Sequence, residues 1–471
     1  MPNQSVTTPR PAHSPQQPPP LPLRRSQRIP FSPTYLKDFH CNFLTSSPQL
    51  SKGISHPLSS VINYNTLSSS HLHYVLSLST HEEPKFYHQA VKSQEWVVAM
   101  KAEIDALTAN NTWTIVDLTS GKHPIGCKWV YKIKYRSDGS VERYKARLVA
   151  KGFTQTEGLD YFETFAPVAK LTTVRLLLAV ASSQTWFLHQ LDVNNAFLHG
   201  DLEEEVYMTI PQGVVCSKPN QVCKLHKSLY GLKQASRQWY NKLSTCLLSF
   251  GYKHSPHDHS LFTKTANGLF TALLIYVDDL ILAGTDIYEI NSVKQHLHDS
   301  FRIKDLGPLK YFLGLEIARS STGITVSHRK YALDILSDSG FLASKPVPSP
   351  MVKTLKLHND DNDLCANPGE YRQLVGRLLY LTNTRPDISY AVQQLSQFMA
   401  APTTAHLKAF HRILRYIKGK PGQGLFYPAS FPLQLKAFSD SDWAACIDTR
   451  KSISGYCIFL GNSLISWRSK K

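Results

Sequence analysis

The hydrophobic and polar positions in the first part of the chain follow two different periods. Between residues 88 and 107, apolar side chains recur at helical spacing, and this stripe predicts an amphipathic helix. Between residues 129 and 151, apolar and polar side chains alternate on both sides of Asp138-Gly139, a pair that favours a tight turn. The pattern therefore predicts a helix followed by a two-stranded hairpin.

Three further elements are predicted in the middle of the chain. Residues 171–185 are mostly apolar and predict a buried helix, and 186–193 predict a strand that carries Asp192 at its end. Apolar positions about four residues apart between 235 and 250 predict an amphipathic helix that ends at Gly251.

The segment ALLIYVDDLILAG, residues 272–284, places Asp278 and Asp279 side by side in an apolar run. Its pattern predicts two short buried strands folded back at these two residues. Two buried like charges are costly unless a cation compensates them. Two explanations stay open here: a tight polar turn, in which Asp is a favoured residue, or a site for a divalent metal ion.

The remaining pattern predicts strands, then helices, then strands again. Residues 307–317 predict a strand pair, and 405–419 predict an amphipathic helix with a basic outer face. Alternation returns between 433 and 467, where Gly461-Asn462 marks a hairpin turn.

The predicted hairpin of residues 129–151 has one apolar face and one cationic face, because successive side chains of a strand point to opposite faces. The cationic positions are Lys132, Lys134, Arg136, Arg143, Lys145, Arg147 and Lys151. A solvated outer face explains this pattern, although a surface that serves only solubility normally mixes both signs. A face that binds a polyanion therefore stays as the second interpretation.

The composition favours a polyanionic partner. The 471 residues include 52 Lys and Arg against 35 Asp and Glu, a formal net charge of +17. This excess points to nucleic acid first and to an anionic membrane surface second. The eight cysteines form no CxxC pair, and neither a secretory signal nor a membrane-spanning apolar run is visible. We expect a cytoplasmic or nuclear protein that is not secreted.

Two segments are expected to lack catalytic chemistry. Residues 1–34 are rich in Pro, Ser and Gln, and we expect residues 1–84 to form a disordered or partly ordered linker. A second cluster, His254, His257, Asp258 and His259, has residue types that bind metals, but it lies in a polar loop with no apparent fourth ligand. We favour a loop without metal there.

Nucleotidyl transfer by two metal ions requires carboxylates from distant segments to meet around ions about 3.5–4 Å apart. Asp192 at one strand end, together with Asp278 and Asp279 between two strands, is such a set. The cationic hairpin would hold a triphosphate, because phosphoryl transfer depends mainly on positioning and electrostatics. The sequence therefore points to a polymerase-like site.

Several stretches resemble a known family. YVDD, residues 276–279, resembles the catalytic motif of reverse transcriptases. Four longer stretches resemble, in the same order, the copia-type retrotransposon Pol polyprotein: YKARLVAKGFTQTEGLDYFETFAPVAKLTTVR, HQLDVNNAFLHGDLEEEVYM, SLYGLKQASRQWY and RPDISYAVQQLSQFM. The likeness extends from about residue 85 to the end of the chain.

The resemblance implies an RNA-directed DNA polymerase that extends a primer 3′-hydroxyl with deoxynucleoside triphosphates (dNTPs). Asp192, Asp278 and Asp279 would be the catalytic carboxylates, and with the backbone of Val193 they would bind two Mg²⁺ ions, which Mn²⁺ would be able to replace. Its partners would be an RNA or DNA template with a primer. The family also implies a location in a cytoplasmic virus-like particle and in the nucleus.

The same resemblance assigns the nucleotide contacts. Lys145 and Arg147 would contact the triphosphate, and Phe197 would exclude a ribose 2′-hydroxyl and so select dNTPs. A buried phenylalanine of the core is the other explanation for Phe197.

The implied fold is α+β, a right-hand polymerase of fingers, palm and thumb. Fingers and palm would occupy 85–325, a helical thumb or connection 326–430, and a truncated ribonuclease H-like start 431–471, with Asp440 as its first carboxylate. The other acids of that domain would lie beyond residue 471, so we expect no ribonuclease H activity from this chain alone. An incomplete sheet would also leave an unpaired edge.

Two other functions compete with this prediction. One is a catalytically silent remnant that keeps nucleic-acid binding but not turnover. The other is a different palm enzyme, such as a nucleotidyl cyclase, which the cationic hairpin and the long family-like stretches disfavour.

Overall fold

The computed structural model describes residues 82–136, 140–216, 218–352, 354–359 and 363–471. The predicted linker up to residue 81 and the Asp138-Gly139 turn lie outside these residues.

Helices and antiparallel strands are mixed along the described part of the chain. The helices are α1 Tyr87–Ala90, α2 Gln94–Ala109, α3 Leu171–Ser183, α4 Ala235–Ser249, α5 Ile287–Phe301, α6 Arg329–Asp338, α7 Pro368–Leu381, α8 Ser389–Ser396 and α9 Thr404–Gly419, with short 3-10 turns at Gly152–Thr154, Ala196–His199 and Pro386–Ile388. The strands are β1 Trp113–Asp117, β2 Cys127–Tyr135, β3 Val141–Ala150, β4 Phe187–Asp192, β5 Asp201–Thr209, β6 Gln221–Lys227, β7 Lys253–His254, β8 Leu261–Ala266, β9 Leu269–Tyr276, β10 Asp279–Gly284, β11 Lys304–Pro308, β12 Tyr311–Phe312, β13 Leu315–Ser320, β14 Gly323–Ser327, β15 Leu425–Pro428, β16 Leu435–Ser441, β17 Ser454–Leu460 and β18 Ser463–Lys470. The predicted α+β class is confirmed.

The cationic hairpin predicted from alternation is formed by β2 and β3, which pair antiparallel with Trp129 opposite Leu148. Its apolar face is buried together with Trp96 and Met100 of α2. The cationic side chains lie on the other face, where Lys132, Lys134 and Arg143 are exposed and Lys145 and Arg147 are half-buried. The hairpin is therefore anchored by one face and presents positive charge on the other.

A six-stranded antiparallel sheet in the order β11-β4-β10-β9-β8-β7 forms the centre of the molecule. Side chains of β10 alternate between two cores: Leu280 and Leu282 pack with α4 and α5, whereas Ile281 and Ala283 pack with α3. Both faces of β10 are buried, and this explains why the segment after Asp279 is apolar at every position.

Three smaller sheets and a helical cluster complete the described part. β1-β6-β5 form one sheet, β12-β13-β14-β15 a second and β16-β17-β18 a third. Helices α6 to α9 share a separate apolar core. The predicted strand pair near 307–317, the basic helix and the C-terminal hairpin are all present.

The turn between β9 and β10 lies one residue earlier than the sequence pattern predicts. Asp279 already pairs with Tyr276, so the two turn residues are Val277 and Asp278. The shift arises because Val277 adopts a left-handed φ of 54°, a conformation that no propensity rule assigns to a β-branched residue.

None of the described helices is long and apolar enough to cross a membrane.

Candidate active site

Two strand ends bring together the three aspartates predicted to be catalytic. Asp192 is the last residue of β4 and stands directly opposite Asp279, the first residue of β10. Asp278 precedes Asp279 in the turn, and its carbonyl oxygen accepts a hydrogen bond of 2.9 Å from the Val193 amide. The predicted metal-site residues therefore adjoin one another, with Val193 fixed to the turn by its backbone.

A buried tryptophan supports the turn that carries Asp278. Trp239 of α4 is fully buried, and its indole Nε1 donates a 2.7 Å hydrogen bond to the Val277 carbonyl oxygen. Because a valine in the left-handed region is strained, the turn requires this kind of support from its surroundings.

The carboxylates repel one another in a partly buried setting. Burial first, and the charge of Asp278 second, raise the pKa of Asp192, while Lys304 and Lys145 oppose the increase. Burial and Asp278 also raise the pKa of Asp279, against a hydrogen bond from Gln190. Within the described residues none of the three aspartates forms an ion pair, so no salt bridge neutralises their negative charge.

The donor chemistry of the three aspartates suits a hard divalent cation, which binds carboxylate oxygens and relieves the repulsion between them. Over the part of the chain that is described, however, no three His, Cys, Asp or Glu side chains converge closely enough to form a ready metal-binding cluster. The carboxylates adjoin one another without converging on one point.

Lys145 and Arg147 lie on β3, on the same side of the hairpin as the aspartates. Lys145 is near enough to Asp192 to lower the pKa of that carboxyl. Burial lowers the pKa of Lys145 itself, and the neighbouring charges of Arg147 and Arg143 lower it further. An anion bound between these cations would relieve their mutual repulsion.

Tyr230 is a site residue that the sequence reasoning missed. Its ring lies 4.0 Å from the guanidinium carbon of Arg147 and meets the Phe197 ring edge-on at 4.9 Å. Burial raises the pKa of Tyr230, and the charges of Asp278 and Asp192 add to the increase. Tyr230 therefore joins the cationic hairpin to the aspartates. The signal available in the sequence was the Tyr230-Gly231 pair inside a family-like stretch.

Phe197 reaches this cluster because the chain reverses just after Asp192. Asn195 takes a left-handed φ of 52°, which asparagine tolerates, and a short 3-10 turn follows. Phe197 is partly buried and packs against two apolar cores, so both explanations for this residue stay open. Asp440, by contrast, lies on the exposed strand β16 of a different sheet and takes no part in the site.

The loop that contains His254, His257, Asp258 and His259 has a structural role. Asp258 is buried and accepts hydrogen bonds from the Thr173 hydroxyl at 2.5 Å, the Ser260 hydroxyl at 2.6 Å and the Lys170 amide at 3.3 Å. Asp258 thus fastens the loop to the start of α3. No metal-binding cluster is found among the described residues of this loop.

Comparison with known proteins identifies the family. The family described as reverse transcriptase (RNA-dependent DNA polymerase) matches residues 110–353. The chain belongs to this family, and the predicted resemblance to copia-type Pol polyproteins is confirmed. The chain is 47% identical to the Retrovirus-related Pol polyprotein from transposon RE1 of Arabidopsis thaliana, over 84% of this chain and 27% of that protein. It is 41% identical to the corresponding polyprotein from transposon TNT 1-94 of Nicotiana tabacum, over 84% of this chain and 31% of that protein.

One match among solved structures is that of a foamy viral protease-reverse transcriptase in complex with double-stranded DNA. It is 11% identical, covers 79% of this chain and 55% of its own, and gives a TM-score of 0.42. The chain spans between about a quarter and a third of the length of the polyproteins it matches.

Proposed function

We propose that this chain is an RNA-directed DNA polymerase that transfers nucleotides from dNTPs to a primer 3′-hydroxyl. The observation that carries the proposal is the juxtaposition of Asp192, Asp278 and Asp279 at the ends of two paired strands. Membership of the reverse transcriptase family supports the same reaction.

The three aspartates and the backbone of Val193 would hold two Mg²⁺ ions, or Mn²⁺ in their place. Their carboxylate oxygens and their mutual repulsion favour a divalent cation at this site. When bound, such ions supply activation of the primer hydroxyl and stabilisation of the leaving pyrophosphate.

The protein's own side chains would orient the dNTP. Lys145 and Arg147 would bind the triphosphate, and Tyr230 would hold the guanidinium plane of Arg147 in place through its ring. Phe197 would lie against the sugar and leave no space for a ribose 2′-hydroxyl, which its contact with Tyr230 supports.

The finer division of the fold is part of the proposal. Fingers and palm would occupy 85–325, a thumb or connection 326–430 and a ribonuclease H-like unit 431–471, in which Asp440 would be the first catalytic carboxylate. The separate apolar core of α6 to α9 supports a distinct thumb. β14 pairs with β15, so the four-stranded sheet would join the first two units.

The partners would be a template strand of RNA or DNA, its primer and dNTPs. The formal charge of +17 and the exposed cationic face of the hairpin support a polyanionic partner. A cytoplasmic particle and the nucleus would be the places of action.

The test is incorporation of deoxythymidine on poly(rA)–oligo(dT) by the full chain, with Mg²⁺, with Mn²⁺ and with EDTA. We expect synthesis that requires the metal, the template and the primer. Folded protein that binds the duplex but incorporates nothing with either metal would overturn the proposal and favour the silent remnant. A cyclic nucleotide formed without primer would instead support the cyclase.

A further inference from the structure

The aromatic loop, residues 151–170 between β3 and α3, exposes large apolar side chains. Phe153 and Phe165 have 78% and 74% of their surface accessible, and Phe162 and Leu159 are exposed to a similar degree. Single exposed apolar residues are ordinary on a protein surface, but several large ones on one short loop mark a binding surface. The loop lies within residues 110–353, the stretch that matches the family, and far from both ends of the chain.

Polar contacts hold the backbone of the aromatic loop in place. Gln155 is buried, and its Nε2 donates a 3.1 Å hydrogen bond to the Oε1 of Gln234. Gln234, the N-cap residue of α4, in turn donates a 2.9 Å hydrogen bond to the Asp160 carbonyl oxygen. Arg237, in the first turn of α4, donates one of 3.1 Å to the Phe165 carbonyl oxygen. The loop is therefore fixed along the start of α4 while its phenylalanine rings stay exposed.

The aromatic loop adjoins the proposed nucleotide site. Gly152 lies so close to Gly231 that a Cβ added to Gly152 would stand 2.0 Å from the Gly231 carbonyl oxygen. The preceding residue, Tyr230, accepts a 2.7 Å hydrogen bond at its carbonyl oxygen from the Ala150 amide. The ring of Tyr230 contacts the guanidinium of Arg147. The exposed rings therefore begin next to the residues that would hold the dNTP.

The cationic face of the hairpin leads directly into this loop. Arg143, Lys145 and Arg147 alternate along β3 and so lie on one face of the strand. Lys151 follows as the first residue of the loop. Proteins that bind single-stranded nucleic acid combine cations for the phosphates with aromatic rings on which the bases stack. β3 and the aromatic loop supply these two parts side by side.

The acidic residues of the loop are mostly engaged within the protein. Glu163 forms an ion pair with Arg237, and Asp160 accepts a 2.8 Å hydrogen bond from the Thr156 amide. Glu157 is the third acidic residue and is exposed. The neighbouring cations of the hairpin therefore dominate the charge that a phosphate backbone would meet at this surface.

We propose that the aromatic loop is a platform on which unpaired bases of the template strand stack. The proposal rests on the proposed function, since a polymerase needs a template base opposite the incoming dNTP and unpaired template bases ahead of it. The rings of Phe153, Phe162 and Phe165 would receive these bases, and Lys151 with the hairpin cations would bind the phosphates. Every base has a π face, so the platform would accept any template sequence.

The test measures the affinity of the full chain for a primer–template by fluorescence anisotropy, without dNTP. One duplex has a 5′ template overhang of about ten nucleotides, within the length that such surfaces bind, and the other is blunt. The wild type should bind the overhang form at least about tenfold more tightly. The variant F153L/F162L/F165L keeps apolar side chains without rings and should lose about 10- to 100-fold in affinity for the overhang form. Its affinity for the blunt duplex should be unchanged.

Two further variants serve as controls. F153Y/F162Y/F165Y keeps all three rings and should stay within about threefold of the wild type on the overhang form. Tyr288→Leu removes an equally exposed ring at the start of α5, beyond the end of β10 that is away from Asp279, and should change neither affinity. Circular dichroism confirms that each variant is folded.

Three results would overturn the proposal. The first is equal affinity of the wild type for the two duplexes, and the second is equal affinity of the leucine and tyrosine variants for the overhang form. The third is a leucine variant that keeps its affinity for the overhang but changes its mass in sedimentation velocity, which would assign the rings to a protein contact. Binding is measured without catalysis, so an inactive chain that shows the overhang effect would refute only the polymerase, and an active chain without the effect would refute only the platform.

Discussion

Asp192 and Asp279 stand directly opposite each other in the ladder between β4 and β10, although 86 residues separate them in the chain. Apart from the exposed Phe187 at the start of β4, the remaining residues of both strands are buried or half-buried. The sheet therefore fixes the spacing of the two carboxylates, and burial raises the pKa of both. A rigid sheet that holds like charges together creates a site that favours cations.

The ring of Tyr230 should matter for dNTP binding, and its hydroxyl should not. Replacement of Tyr230 by Leu removes the cation–π contact with Arg147, worth about 0.5–2 kcal/mol, and should raise the KM for dTTP about 3- to 30-fold. Tyr230→Phe keeps the ring and should stay within about twofold of the wild type by the same reasoning. Steady-state kinetics decides, and equal losses in both variants would refute this role for the ring.

Phe197 should control discrimination between deoxyribose and ribose. Phe197→Val opens space beside Tyr230, and we expect the preference for dTTP over UTP to fall by about 10- to 200-fold, the range that one small group contributes to selectivity. Incorporation of the two nucleotides is compared on one template. Phe270→Val is the control. Phe270 contacts Trp186 near the start of β9, at the end away from the turn that carries Asp278, so this variant should keep the preference for dTTP over UTP. Unchanged preference in Phe197→Val would exclude this function.

Trp239 should support activity through the turn of Asp278. Trp239→Phe removes the donor to the Val277 carbonyl, and we expect a loss of about 1–3 kcal/mol in the free energy of unfolding. The kcat of the folded fraction should fall as well, because the turn loses its support. Tyr371→Phe, which removes a buried hydroxyl donor to the Leu395 carbonyl in the helical core, should lower stability alone. Equal kcat in the two variants would contradict the positioning role of Trp239.

Asp258 should give a pH-dependent contribution to stability. Burial is the largest influence and raises the pKa of Asp258, but hydrogen bonds from Ser260 and Thr173 outweigh it and hold the pKa below the ordinary value. A carboxyl group whose pKa is lowered by folding stabilises the fold at pH values above its unfolded-state pKa of about 3.9. This stabilisation is lost as the pH falls through the folded-state pKa.

Asp258→Asn should therefore lower the melting temperature at pH 7, and the difference from wild type should narrow below about pH 4. EDTA should not alter this difference in melting temperature. A difference that depends on metal would restore the metal hypothesis for the His254 loop.

Much of the fold was predictable because local patterns decide it. The alternation around residues 129–151 gave the hairpin and its two faces, and the strand ending at Asp192 was identified from its apolar run. Tertiary contacts explain what could not be predicted. The ring of Tyr230 meets Arg147 only after the chain has folded, since 82 residues separate them. The left-handed Val277 likewise depends on Trp239, a residue of another element.

The most direct measurement compares Asp278→Asn with the wild type in two assays on the same primer–template. The variant should lose metal-dependent deoxythymidine incorporation by at least about 1000-fold, a loss of about 4 kcal/mol in transition-state stabilisation. Its duplex affinity, measured by fluorescence anisotropy with its salt dependence, should stay within about threefold, because the cationic surfaces are unchanged. Asp299→Asn, the same change at an exposed position of α5, should keep both properties. Incorporation that survives in Asp278→Asn would contradict the assignment of the site.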